Sequence, residues 1–234
     1  MKKKYLFMLG MFFFSGATNL GWAFSVENHW SVSLAGGIVR FPYINVIDQT
    51  REYRQTSMPD TGWMGSLSAV YGVSPSFQLG MSLEYLNVAT EYKDRLEVFS
   101  GDSSGNYLSV TTEELCEQHE MPTGILNFVV RGAIPLGERF NLVPSIGLGL
   151  AATYYHYRLY IGDKEFLQDD LSHTNFGVNC KPAVGAEFLL TDLISLSAEI
   201  GYRALVVFDF RQKLNRNYDN LSGPFSGAAV HFNF

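Results

Sequence analysis

The chain has 234 residues, a formal charge of −6, and an abundance of glycine, phenylalanine and tyrosine (22, 18 and 13 residues). The acidic balance excludes nucleic acid as a partner, because its phosphates need a basic surface. Beyond the N-terminal stretch, no run approaches the roughly 18 apolar residues of a membrane-spanning helix.

The first element is an export signal. Lys2, Lys3 and Lys4 precede the uncharged run "YLFMLGMFFFSGA", and the small residues Gly21 and Ala23 close the stretch "TNLGWA". This order of basic, apolar and small residues predicts a cleavable signal peptide over 1–23, cut between Ala23 and Phe24. Loss of the three lysines takes the formal charge from −6 to −9. The remaining 24–234, about 210 residues, form one domain of either a soluble exported β-protein or a membrane-spanning barrel.

Eight segments then alternate apolar and polar residues at period two: 29–41, 61–73, 77–92, 121–136, 140–159, 174–191, 194–210 and 225–234. The seventh is the clearest. Ile194, Leu196, Ala198, Ile200, Tyr202, Ala204, Val206, Phe208 and Phe210 share one face. Ser195, Ser197, Glu199, Gly201, Arg203 and Asp209 share the other, with Leu205 and Val207 as apolar exceptions. Strands of soluble sheets usually run to about 5–6 residues, whereas a tilted membrane strand needs roughly 9–11. The length favours the membrane. The last segment carries the same pattern to the final residue, with Val230, Phe232 and Phe234 on its apolar face.

The connections alternate strictly between long and short. "GVSPS", "PLGER" and "LTDL" are tight turns, while polar stretches near 42–60, 93–120, 160–172 and 211–224 are long. An antiparallel up-and-down meander puts all long loops on one rim and all turns on the other, with both termini at the turn rim. Trp30, Trp63, Tyr71, Tyr85, Tyr154, Tyr202 and Phe232 fall near strand ends on the outward parity, where aromatic girdles belong. The fold class is thus all-β: an eight-stranded antiparallel transmembrane β-barrel behind a signal peptide.

The stretches "FGVNCKPAVGAEFLLTDLISLSAEIGYR", "GAIPLGERFNLVPSIGLGLAATYY" and the terminal "HFNF" resemble the eight-stranded outer-membrane barrels, the opacity-protein group and the membrane domain of outer membrane protein A. The resemblance implies a bacterial outer-membrane location and recognition of the terminal Val230, Phe232 and Phe234 by the barrel-assembly machinery. No peptidoglycan-binding domain follows the barrel, so a tethering role is not expected.

An eight-stranded barrel is just wide enough for side chains to fill. The inward parity carries Glu84, Arg131, Lys181, Glu187, Glu199, Arg203 and His231, which are expected to form an ionic network in the lumen. The alternative for these residues is a small passive channel. A lipid-A-modifying enzyme is the other alternative, since "DDLSHTNFG" holds Ser172, His173, Asp169 and Asp170. Adjacent residues of an extended chain point to opposite faces, however, so Ser172 and His173 make a poor nucleophile and base. No enzyme, cofactor or metal is expected.

The second long connection is acidic: from Lys93 to Glu120, two cations face seven carboxylates, a net −5. Within it "TTEELCEQHE" predicts a short helix, with Thr111 as N-cap and Glu114 completing a capping box. The fourth is basic, and Arg211, Lys213 and Arg216 are candidates for contact with lipopolysaccharide phosphates. Cys116 and Cys180 are a candidate disulfide in an oxidising compartment, though geometry does not single it out. The expected function is structural or surface-interactive. Four extracellular loops of a monomer would touch host components, other surface molecules or lipopolysaccharide.

Overall fold

The computed structural model describes residues 27–41, 60–101, 107–161, 164–166, 173–208 and 218–234. The expected cleavage point between Ala23 and Phe24, together with Asp169, Asp170, Ser172, Arg211, Lys213 and Arg216, lies outside the described residues.

Eleven strands follow one another: β1 (Trp30–Phe41), β2 (Asp60–Ser74), β3 (Phe77–Gly101), β4 (Tyr107–Gly132), β5 (Ile134–Gly137), β6 (Phe140–Ile161), β7 (Lys164–Phe166), β8 (His173–Leu189), β9 (Ile194–Phe208), β10 (Tyr218–Asn220) and β11 (Gly223–Asn233). Eight of them form the barrel wall. β1 pairs β2, β2 pairs β3, β3 pairs β4, β4 pairs β6, β6 pairs β8, β8 pairs β9, β9 pairs β11, and β11 returns to β1. Every contact is antiparallel, so the sheet closes on itself and its wall has no open edge. β5 prolongs β4 past Ala133, while β7 and β10 are short pieces beside β6 and β9.

The seam between first and last strands is reinforced at its end. Trp30 and Phe234 exchange backbone hydrogen bonds at 3.1 and 2.8 Å. The His29 ring lies 3.1 Å from the Phe234 carbonyl oxygen. Phe234 itself is 69% exposed, and Val230 and Phe232 share its outward parity. The tight turns fall at this same rim.

The alternation seen in the sequence becomes two opposite surfaces. Outward positions such as Leu34, Leu67, Leu83, Phe128, Leu148, Phe176 and Ile200 are exposed, and the alternate positions are buried in the lumen. Twelve residues of β8 separate Phe176 from Phe188 on the apolar face. At about 3.3 Å per residue and a tilt near 40°, that spans roughly 30 Å along the barrel axis. Aromatic pairs mark its edges: Trp30 packs at a tilt against Tyr71 near the turn rim, and Trp63 against Tyr85 near the other, each with centroids 5.1 Å apart.

The helix expected at "TTEELCEQHE" is a correction. Thr111–Glu120 is strand, the upper part of β4. It pairs with β3 throughout and with β6 from Leu115↔Ile161 to Glu120↔His156. Two continuous ladders outweigh a local capping signal, a tertiary override of propensity. The acidic connection is therefore mostly a long hairpin: β3 runs sixteen residues past Tyr85, about 50 Å of strand. The far ends of β3, β4 and β6, with β7, form a sheet that stands beyond the long-loop rim.

Prolines interrupt ladders locally without shifting register. Cys180↔Ala204 and Ala183↔Gly201 belong to one register on either side of Pro182, which has no N–H to donate. No bulge re-aims Cys180. Its cross-strand row runs through Leu148 to Phe128 of β4, twelve residues from Cys116 and roughly 40 Å along the strand. Cys116 and Cys180 are accordingly not bonded to each other, which corrects the candidate disulfide.

Candidate functional site

The lumen holds a layered concentration of ionisable side chains. Inward positions of β3, β4, β8, β9 and β11 bring together all seven residues singled out by their parity. In the first cluster Glu84 is central. Arg203 donates to its Oε2, and Lys181 Nζ lies 3.3 Å from its Oε1. Lys181 also reaches Glu199 at 3.1 Å, and Asn127 Nδ2 donates to Glu84 Oε1 at 3.0 Å. Asn179 donates in turn to Asn127 at 2.7 Å.

The second cluster lies nearer the turn rim. Arg131 Nη2 donates to Glu187 Oε2 at 2.9 Å, and its Nη1 approaches His231 Nδ1 at 3.5 Å and Gln78 Oε1 at 3.4 Å. Ser195 donates to the other oxygen of Glu187. Ser197 Oγ and His231 Nε2 are 2.7 Å apart. Three glutamates thus face three permanent cations, and each buried charge has an opposite partner. That is the condition under which such burial is tolerated.

Between the clusters lies a cavity of about 90 Å³, lined among others by Glu84, Lys181, Arg131, His231, Ser33 and Ser68. Small inward side chains on β1, β2 and β6, among them Ser33, Ser68, Ser145 and Gly147, leave this space open. Ser33 and Ser68 bond to each other at 2.6 Å.

Above the first cluster, toward the long-loop rim, an apolar cluster fills part of the lumen beside the buried polar row Thr123, Thr153 and Asn175. Val39, Phe41, Met64, Leu86, Val88, Met121, Ile125, Ala151, Leu205, Val207, Leu221 and Phe225 pack into one buried cluster. Phe41, Leu86, Val88, Leu205 and Val207 have no exposed surface. Lys181 Nζ sits 4.7 Å over the Phe225 ring, a cation–π contact where charged layer meets apolar plug. Gly201 makes room for that ring: a Cβ there would lie 2.6 Å from it and 2.3 Å from the Pro182 carbonyl oxygen. Parity reasoning expected small or ionic side chains inside and missed the plug. The signal was present as doubled apolar runs at strand ends, Ile38–Val39 and Ala204–Val207, where both faces are apolar.

Two arrangements bring a histidine near candidate catalytic partners. His173 is buried and stacks on Tyr155, with centroids 5.2 Å apart, so its ring is held inside the barrel mouth. Ser197 and His231 are close enough for a nucleophile and base, but Arg131 sits on the wrong nitrogen. A guanidinium only donates, so Nδ1 must accept and the ring proton lies on Nε2, facing Ser197. A base would need the opposite tautomer, with an acceptor on Nδ1.

Solved structures similar to this chain include three bacterial barrels. The attachment invasion locus protein of Yersinia pestis is 10% identical, with 89% of this chain and 99% of that one covered and a TM-score of 0.40. Neisserial surface protein A is 11% identical over 89% and 98%, TM-score 0.41. The outer membrane protein OprG of Pseudomonas aeruginosa is 10% identical over 91% and 98%, TM-score 0.43. No family model matches the chain, and no curated protein matches it.

Proposed function

We propose that the chain is an exported barrel of the bacterial outer membrane that does not conduct, and that it makes contacts at the cell surface through the sheet beyond its long-loop rim. The observation that carries this is the inversion of the two surfaces. A belt of exposed apolar side chains, roughly 30 Å tall and edged by aromatics, surrounds a charged and plugged interior. In water such a belt is an unsupportable patch; in a bilayer it is the required exterior. With the lumen filled, the working surface left to the molecule is the part of β3, β4, β6 and β7 that clears the membrane.

The orientation follows from loop asymmetry, with tight turns toward the periplasm and long connections outside. Phe234, exposed at the periplasmic rim with Phe232 and Val230 behind it, is accessible to the assembly machinery. The basic Arg211, Lys213 and Arg216 stay candidates for lipopolysaccharide contact.

The test pairs fractionation with loop surgery. Full-length chain is expected in the outer membrane as a compact, heat-modifiable band, and loss of Phe234 is expected to lower that recovery. Replacing residues 91–118 with a short turn should leave the band intact while abolishing cell–cell aggregation or adhesion to host-cell monolayers. Recovery of the chain as a detergent-free soluble protein would sink the membrane assignment. Adhesion unchanged without the hairpin would sink the contact role.

A further inference from the structure

We propose that Arg158 and His156 form a binding site for a lipid phosphate on the outward face of β6. The proposal rests on the lipid-facing orientation of the barrel. It concerns residues outside both the lumen and the basic fourth connection.

Outward positions of β6 climb from Leu148 and Leu150, the latter 69% exposed, to Tyr154, His156 and Arg158. Each two-residue step advances about 6.6 Å along the strand, or roughly 5 Å along the axis at a 40° tilt. His156 therefore lies about 5 Å and Arg158 about 10 Å beyond the tyrosine girdle. The polar layer on each side of the hydrocarbon is roughly 5–8 Å thick for ordinary lipids. His156 falls within that layer and Arg158 about 2 Å past its outer edge, a gap that its long side chain can span toward a lipid phosphate.

Their geometry suits that anion. Arg158 Nε donates to His156 Nε2 at 2.8 Å, and the imidazole stacks against Tyr154 with centroids 6.4 Å apart and planes 22° apart. Tyr154 thus orients the imidazole, and the imidazole holds the guanidinium by its Nε. The Nη1/Nη2 edge, the fork that matches two phosphate oxygens, is left for an external acceptor. Because Nε2 accepts, the imidazole proton sits on Nδ1 and provides a further donor. Among the described residues, no carboxylate forms a salt bridge with Arg158.

The cross-strand partners are Gln118, opposite Arg158, and Glu120, opposite His156. Glu120 is exposed. Its charge opposes an incoming anion, which gives the proposal a prediction of opposite sign: neutralising Glu120 should strengthen binding while neutralising Arg158 weakens it. A purely structural Arg158–His156 pair would predict neither.

The experiment is native mass spectrometry of the full chain folded in detergent, titrated with phosphatidic acid and, separately, phosphatidylcholine. A heat-modifiable band confirms folding of every variant. The expected result is one phosphatidic acid held in preference to phosphatidylcholine. R158Q should lose roughly tenfold in affinity, R158K should recover only part because the fork is gone, and E120Q should gain. Equal binding by wild type and R158Q would overturn the proposal. So would displacement of the lipid by millimolar inorganic phosphate alone, which would mark a free-anion site. If the chain needs no detergent, the lipid-facing orientation fails instead.

Discussion

Arg203 has no exposed surface and is anchored by Glu84, with Met64 Sδ 3.8 Å away on the apolar side. Removing one partner of such a pair strands the other in a medium that cannot solvate it. Arg203→Met is expected to cost about 3 kcal/mol in urea unfolding followed by tryptophan fluorescence. Adding Glu84→Gln should recover part of that loss, since the stranded charge is then gone; a cost under about 1 kcal/mol for the single variant would show that Lys181 alone satisfies Glu84. The ionisable members of this network were legible in the sequence, because a charge on the inward parity of a barrel strand has nowhere else to go. Their partners were not. That Lys181 bridges Glu84 and Glu199, or that Arg131 occupies Nδ1 of His231, depends on which strands face across the lumen. The cysteines teach the same lesson in reverse: residue type and compartment allowed a bond, and cross-strand rows separate the two by roughly 40 Å. Non-reducing and reducing gels of the folded chain should show the same intramolecular mobility.

At the scale of elements, the period-two pattern placed the barrel strands within a few residues of their observed limits, except where β3 and β4 run on. Pattern reasoning stops where polar and charged residues occupy both faces, as they do from Lys93 to Glu120. There, pairing depends on neighbours rather than on a buried face. The hairpin has an internal gradient that hydrogen exchange can read. Amides from Leu115 to Glu120 lie in ladders with both β3 and β6, whereas among the described residues Val110 to Glu114 pair with β3 only. Slower exchange is expected in the first group than in the second. A helical segment would instead protect the stretch evenly, apart from its first turn.

For the whole molecule, the plug decides whether the barrel can act as a pore. A wide charged lumen would admit ions, whereas here an apolar cluster packs above the charged layers, beside the buried Thr123, Thr153 and Asn175. Planar-bilayer recordings of the wild type are expected to show no stable conductance. Leu86→Ser combined with Leu205→Ser, which removes large side chains of the plug from β3 and β9, opposite strands of the wall, should produce openings if the cluster is the barrier. Steady wild-type openings would show that ions bypass it.

The sequence by itself determined the class of fold, the rim to which each connection belongs, the outward apolar belt and the list of inward charges. All of these follow from the strict two-residue period of a strand, which one line of residues displays directly. Only the tertiary structure decided the pairing of those charges, the strand conformation of Thr111–Glu120, the separation of the cysteines, the plug, and the seating of Arg158 against His156. Each depends on cross-strand register or on what faces across the lumen. Distances of that kind arise only when the eighth wall strand closes against the first.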